Sequence, residues 1–297
     1  MLAVDLSAWN SAVFVARKNC ISCGSDILRE VAGGTFADEP LRSYIGSDPW
    51  GEDPLPFIQD ACWSLVECTS CLQRFHRFIL SPEWNEIRFS RWMSDASIRQ
   101  FEAEHGGDQN VVRDVKHALR LRDQGVRRVL DYGCGFGEFL EVCRLFGMEA
   151  HGVDRSALRR LGAGLHIHSE LEHVPGGFDA ITLFEVLEHL DDPLSVLKAL
   201  RSRLNPGGIM VVEVPNTAGV NSISSRSDYY KIHPLDHINA FTPQTLSGMM
   251  TQAGFNRAPK PPAFVATSLR QLAKDALRPV LKRRATTQGY FSSIGPV

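Results

Sequence analysis

The architecture of this chain is written most plainly in Val129-Leu130-Asp131-Tyr132-Gly133-Cys134-Gly135-Phe136-Gly137-Glu138. Apolar residues climb a short strand, Asp131 stands at its end, and three glycines follow at alternate positions. A buried strand that stops at a glycine loop and restarts as a helix lets backbone N–H groups approach a ligand closely. The dinucleotide fingerprint Gly-x-Gly-x-x-Gly would need its third glycine at position 138, where Glu138 stands. An acid ahead of Gly-x-Gly-x-Gly instead suits a ligand carrying positive charge at that point. The bland alternative is a glycine-rich turn that binds nothing.

Outward from this loop the pattern is strand–helix alternation. Strands are expected over 126–131, 149–153, 165–168, 178–184 and 209–214, with helices between them and another from Thr242-Pro243 to Gly254. That pattern predicts an α/β fold, a doubly wound, mostly parallel sheet with helices on both faces. The last sheet strand is expected over 263–269, because three prolines interrupt the segment just before it. Asp154 closes the second strand, where such a sheet places a carboxylate able to accept both ribose hydroxyls of a nucleoside. A surface carboxylate at a strand end is the competing reading, and nicotinamide enzymes share the feature.

The glycine loop resembles the cofactor loop of class I S-adenosylmethionine-dependent methyltransferases. Further residues carry the resemblance: Glu185-Val186-Leu187-Glu188-His189-Leu190 with Pro193 after the fourth strand, Asn205-Pro206-Gly207-Gly208, Glu213-Val214-Pro215-Asn216, and His237-Ile238-Asn239-Ala240-Phe241-Thr242-Pro243. It is similar to small-molecule members of that family, among them quinone and sugar O-methyltransferases, and covers about 126–258. The resemblance implies a Rossmann-like sheet and S-adenosylmethionine as cofactor. Gly133, Gly135 and Gly137 would cradle its methionine part, Asp131 would place the amino group, and Asp154 would hold the ribose. Leu171 would lie toward the adenine, and Phe184 or Glu185 would close over the sulfonium side. A hydroxyl acceptor needs a base, for which neutral histidine is suited near pH 7. His189 and His237 are the candidates and His233 a third, each against the alternative of a hydrogen-bonded structural histidine. Glu185, Glu188 and His189 would instead hold a divalent ion, an arrangement made awkward by the 100° divergence of adjacent helical positions.

Ahead of this domain stand Cys20-Ile21-Ser22-Cys23 and Cys68-Thr69-Ser70-Cys71. Two such knuckles supply four thiolates to one tetrahedral zinc, although 44 residues separate them where compact modules have about 15–20. The gap is rich in Gly, Pro and Asp and is expected to be an extended loop; Cys62 within it is a substitute ligand. Redox-active or free thiols are the other reading. The division expected along the chain is a leader over 1–17, a zinc-ribbon-like module over 18–80 and a helical linker over 81–125. A methyltransferase domain follows over 126–269, and a basic helix or tail over 270–297.

The net charge of −2 gives no global field that would recruit nucleic acid, and residues 20–71 carry nine acidic side chains against Arg29 and Arg42. This disfavours an RNA methyltransferase. Seven cysteines with two paired motifs, no apolar run of membrane length and no basic leader point to a reducing, cytoplasmic setting. The expectation is methyl transfer to a hydroxyl of a small polar acceptor, a sugar, glycan or nucleotide-linked sugar. A quinone-type enzyme and a silent zinc-ribbon adaptor are the alternatives. The basic 270–297 segment leaves a peripheral membrane contact open.

Overall fold

In the computed structural model of the chain, residues 10–105, 107–155, 164–263, 265 and 286–293 are described. In chain order the strands are β1 (Phe14–Ala16), β2 (Leu28–Thr35), β3 (Cys62–Cys68), β4 (Arg74–His76), β5 (Phe78–Leu80), β6 (Arg128–Tyr132), β7 (Glu149–Val153), β8 (His166–His168), β9 (Phe178–Phe184), β10 (Leu204–Pro215), β11 (Asn239–Ala240), β12 (Phe255–Ala258) and β13 (Thr286–Ser293). The helices are α1 (Leu41–Ile45), α2 (Leu55–Ile58), α3 (Pro82–Ile87), α4 (Asp95–His105), α5 (Gly107–Asp123), α6 (Glu138–Leu145), α7 (Pro193–Arg201), α8 (Arg226–Lys231) and α9 (Pro243–Gln252). The chain separates into two compact units. The first combines Met1–Phe101, Glu188–Pro193 and Pro215–Gly248; the second combines Glu102–Leu187, Leu194–Val214 and Met249–Val297.

The second unit holds the doubly wound sheet, in the order β12-β13-β10-β9-β6-β7-β8. The pairs β10–β9, β9–β6, β6–β7 and β7–β8 are parallel, and β12–β13 is antiparallel. The order reverses between β6 and β9, the switch point at which an open α/β sheet leaves a crevice beyond its carboxyl ends. Helix α6 buries Phe139, Leu140 and Cys143, one stripe of the helix, against this sheet's core. The Asn205-Pro206-Gly207-Gly208 turn lies inside β10, as a register shift between Leu204 and Ile209.

Three expectations for this unit are corrected. The sheet closes with β12 before the prolines and β13 after them, and positions 264 and 266–269 of the expected 263–269 strand lie outside the described residues. Residues 286–293 of the expected basic tail are therefore a sheet strand, with Tyr290 and Phe291 buried, while 270–285 lie outside the described residues. Helix α5 buries Asp114, His117, Ala118 and Leu121 and leaves Val111 exposed. Helical periodicity suggests an apolar stripe at 111, 112, 115 and 119, but of these only Val112 is buried, and polar side chains that find partners inside the unit share the inner face.

The first unit is built on a four-stranded sheet, β11-β4-β3-β2, and the β1–β5 antiparallel pair. The 36–61 segment is no extended loop: it forms α1 and α2 and buries Phe36, Leu41, Ile45 and Ile58. These pack in one cluster with Phe14, Trp92, Val220, Ile223, Tyr229, Ile232 and Leu235. The expected 81–125 linker is divided accordingly. Ser81 caps α3 by accepting the Trp84 N–H, the chain continues through a π-helical turn (Arg88–Trp92), and α5 belongs to the other unit. The expected leader ends in Arg17, a half-buried strut. Its guanidinium donates to the carbonyls of His76 and Ile238 and to Asn239 Oδ1 at 2.5–2.9 Å, and burial pushes its pKa down to about 9. Among the described residues no helix is long and apolar enough to cross a membrane.

Candidate functional site

In the second unit the loop after β6 is tied to the end of β7, because Gly133 and Cys134 both donate their N–H to the Val153 carbonyl. All three loop glycines have positive φ. A Cβ on Gly133 or Gly137 would meet Val186 or Leu165 at 2.4 Å, so close packing requires glycine there. Gly135, at φ +56°, is different: a Cβ would meet nothing within 4 Å, and its N–H donates to Asp154 Oδ2 at 3.0 Å. The loop thus opens at Gly135 onto space bordered by the carboxylate at the end of β7. Asp131 is 3 % exposed and accepts the Thr182 hydroxyl at 2.6 Å. Burial, with Asp114 nearby, pushes its pKa up to about 7 despite that hydrogen bond.

Phe184, at the end of β9, packs edge-on against Phe139 and 4.5 Å from the His117 ring, with the Arg113 guanidinium 6.0 Å from its centroid. Glu185 follows at φ +55°, a left-handed conformation that costs a non-glycine residue about 1–3 kcal/mol. Leu171 is half-buried at the start of a single 3₁₀ turn, Leu171–His173.

In the first unit His189 and His237 lie with ring centroids 4.9 Å apart. His189 Nδ1 is 3.0 Å from both the Asp236 carbonyl and Asp236 Oδ1. Both partners only accept, so Nδ1 carries a proton, and in the neutral ring Nε2 keeps its lone pair. Arg88 pairs with the same carboxylate, and although burial opposes it, His189 and Arg88 hold Asp236 well below the usual carboxylate range. Burial and the neighbouring His189 push His237 down to about 3, which leaves it neutral and a weak base. Both ring nitrogens of His233 have partners. The Leu235 N–H donates to its Nδ1, and its Nε2 faces Tyr229 Oη at 2.6 Å and Asp48 Oδ2 at 3.3 Å. Donor atoms of Glu188, His189 and His237 lie within 4.8 Å of one another, so the three residues could hold a metal ion.

The same distance limit encloses the four sulfurs of Cys20, Cys23, Cys68 and Cys71, with Cys20–Cys71 and Cys23–Cys68 each 3.5 Å apart. A tetrahedral zinc at about 2.3 Å from each sulfur needs edges of about 3.8 Å, so this donor set fits one. Both knuckles turn alike: Gly24 and Leu72 take positive φ, and their N–H groups donate to the Cys20 and Cys68 carbonyls at 2.9 Å. Burial pushes the Cys68 thiol up, but hydrogen bonds from the backbone N–H groups of Cys71 and Ser70 and from the Cys23 and Cys71 thiols together bring it to about 7. Cys62 is not part of this group; it packs beside Trp63 in the first unit's core.

A family model described as a methyltransferase domain matches residues 104–258. The chain belongs to this methyltransferase-domain family. A ubiquinone biosynthesis O-methyltransferase of Xanthomonas campestris is 33% identical over 121 residues, 36% of this chain and 50% of that protein. Its namesake in Marinobacter nauticus is 34% identical over 151 residues, 44% and 60% of the two chains. The chain thus spans half to three fifths of these curated relatives. Among solved structures, an S-adenosylmethionine-dependent methyltransferase from Archaeoglobus fulgidus is 23% identical with a TM-score of 0.45, covering 66% of this chain and 99% of that one. The plantazolicin methyltransferase BpumL, solved with S-adenosylhomocysteine, is 13% identical with a TM-score of 0.48, over 72% and 91%.

Within the methyltransferase domain, sequence reasoning missed the polar residues of α5. Arg113 is 3.0 Å from Asp114, and His117 bridges Glu213 at 3.4 Å and Tyr290 Oη at 3.2 Å. Their signal was present: Asp114 and His117 recur at helical spacing with Leu121, so polar side chains share the buried face with Val112, Ala118 and Leu121. Asp236 and Arg88 were missed too, and no local pattern singles out either.

Proposed function

We propose that this protein transfers a methyl group from S-adenosylmethionine to a hydroxyl of a small polar acceptor. The observation that carries the reading is the opening at Gly135, bordered by Asp154, at the switch point of a methyltransferase-family sheet. The residues fit the cofactor. The cradle has space where any side chain at 135 would stand, Asp154 suits the ribose, and Asp131 offers a buried carboxylate for the amino group. Leu171 is assigned to the adenine, with Phe184 and Glu185 on the sulfonium side.

S-adenosylmethionine supplies a methyl group on a cationic sulfur that leaves as a neutral thioether, so the protein's task is alignment and proton removal. Asp236 would fix the His189 tautomer, and Nε2 would take the acceptor's hydroxyl proton. His237 packs against that ring and stays neutral. A sugar-type acceptor remains our assignment, with the quinone-type hydroxyl as alternative; the curated relatives' names favour the latter. A second reading, favoured by the clustered donors of Glu188, His189 and His237, has a divalent ion orient the acceptor oxygen, and chelation would then abolish turnover. Zinc on the four cysteines is assigned a folding role, because a closed tetrahedral site has no open position.

Calorimetric titration with S-adenosylmethionine and, separately, NAD tests the cofactor. Binding of the first alone is expected, weakened about 10- to 100-fold in Asp154→Ala by loss of hydrogen bonds to an ionised group. Binding of NAD, or of neither, would sink the reading.

A further inference from the structure

Side chains alternate along a strand, and the register of β7 with β8 sorts the histidines at this edge of the second unit's sheet. His151 stands opposite His166, and Val153 opposite His168. A Cβ on Gly152 would meet Leu140 of α6, and Ile167 lies 3.4 Å from where a Cβ on Gly137 would stand, so positions 152 and 167 face α6. His151, His166 and His168 therefore share the other face, a His-x-His pair on one strand beside a histidine on the next. The His166 and His168 rings lie nearly parallel to that of His151, with centroids 5.1 and 5.7 Å away.

The His151 ring is held as a ligand would be. Its Nε2 lies 2.9 Å from Glu149 Oε1, and Glu149 is held in turn by Arg128 Nε at 3.1 Å. A carboxylate only accepts, so Nε2 carries a proton and, in the neutral ring, Nδ1 keeps its lone pair. Metal-binding histidines are oriented by this kind of carboxylate contact. Phe178 packs edge-on against the same ring, 5.5 Å away. His151 Nδ1 faces His168 Nε2 at 3.4 Å. That is loose for a hydrogen bond, and it matches the ~3.4 Å between two nitrogens bound at ~2.0–2.1 Å to one tetrahedral ion. Burial, with His151, His166 and His173 beside it, pushes the His168 pKa below its ordinary value, so this ring too is neutral at pH 7. The third nitrogen comes from His166. It does not yet converge with the other two as the four cysteine sulfurs do, but its ring is exposed and turns about its own side-chain bonds.

We propose that His151, His166 and His168 bind one late transition-metal dication such as zinc, which staples β8 to β7. Neutral imidazoles suit zinc, copper or nickel, whereas magnesium and calcium prefer oxygen. Three protein ligands leave a fourth position to water on the exposed side. Strand β8 is only three residues long, so an ion across its side chains adds a fastening that few backbone pairs can give. The His168 carbonyl also accepts the Asp154 N–H at 3.0 Å, so the staple steadies the carboxylate end of β7. Both other donor groups, the four cysteines and Glu188 with His189 and His237, belong to the first unit.

The test titrates zinc into the full chain after its resident zinc has been measured. Calorimetry reads the uptake, and long-range ¹H–¹⁵N spectra of the histidine rings read where the ion goes. Wild type should take up zinc with shifts at His151 Nδ1 and His168 Nε2, and magnesium should neither cause these shifts nor compete. Glu149→Gln should weaken this uptake about 10- to 100-fold, as loss of a contact behind a ligand does. His166→Gln and His168→Gln replace side chains that are not fully buried, so the fold survives them. Each should abolish the uptake and leave the resident zinc unchanged. Absence of the His151 and His168 shifts in wild type, or uptake that the His166 and His168 variants leave intact, overturns the proposal. So does uptake that shifts the His189 and His237 rings and not those of His151 and His168, because the ion would then fill the first unit's group.

Discussion

Asp131 and His189 show how a single side chain's surroundings set its chemistry. With a folded pKa of about 7, above the usual aspartate value of 3.8, Asp131 holds its proton more tightly in the folded state than in the unfolded chain. Its contribution to stability is therefore full in acid and is lost as pH rises from about 4 to 7, by on the order of 4 kcal/mol at most. Thermal unfolding of the cofactor-free protein should show Asp131→Asn more stable than wild type at pH 8 and little different at pH 4. The bound ammonium group would favour the ionised carboxylate, so wild-type affinity for S-adenosylmethionine should rise between pH 6 and 8 and stay flat in Asp131→Asn. An identical pH response in both proteins would remove Asp131 from the cofactor site. His189→Ala should lower turnover about 100-fold or more with cofactor affinity unchanged; His237→Ala should cost less, since its ring is neutral and a weak base. The reverse ranking would exchange their roles. Sequence named both histidines and the loop residues because motif spacing reports them. It did not name Asp236, and it named Glu185 without its left-handed backbone, because partner choice and φ are set by packing that no local pattern encodes.

Among elements, the parallel core of the sheet was legible and its edge was not. Strands β7 and β9 keep the bounds expected of them, because turn glycines, Gly147 and Gly177, mark where each begins. Strand β13 reads Thr-Thr-Gln-Gly-Tyr-Phe-Ser-Ser, with too little apolar patterning to announce itself. Its place follows only from pairing with its sheet neighbours, β12 and β10. The knuckles show the opposite case, where two tetrapeptides declared a cluster that 44 intervening residues did nothing to obscure. Gly24 and Leu72 each turn left-handed to close their loops, and Leu72 does so against the steric preference of its Cβ, at a cost of about 1–2 kcal/mol. Four thiolates around a dication would outweigh that strain, since structural zinc contributes about 10–16 kcal/mol in small modules. Elemental analysis should find one zinc per chain. Cys68→Ser should lose it and make residues 20–71 sensitive to protease, whereas a metal-free wild type of equal stability would end the zinc assignment.

At the level of the whole chain, sequence order and spatial grouping part company. The methyltransferase domain surrenders two excursions to the first unit, Glu188–Pro193 after β9 and Pro215–Gly248 after β10. The second buries Val220, Ile223, Tyr229, Ile232 and Leu235 in a cluster whose other members lie between Val13 and Trp92, apart from Ala240 on β11. Arg17 fastens the same excursion through Ile238 and Asn239. Linear division into ribbon, linker and domain could not anticipate this, because each apolar run reads equally well as part of its neighbours' core. A chain cut to 102–297 would expose those five side chains, a loss on the order of 10 kcal/mol at about 1.5–3 kcal/mol each, comparable to the stability of a whole domain. The truncated protein should therefore retain cofactor binding through β6, β7 and their loops, yet show rapid proteolysis within 215–248 and no methyl transfer. Adding residues 1–101 as a separate chain should restore protection of that segment. Were 215–248 to stay protected without them, the excursion would have a core of its own, and the N-terminal segment would be an appendage instead of half of the unit that carries His189.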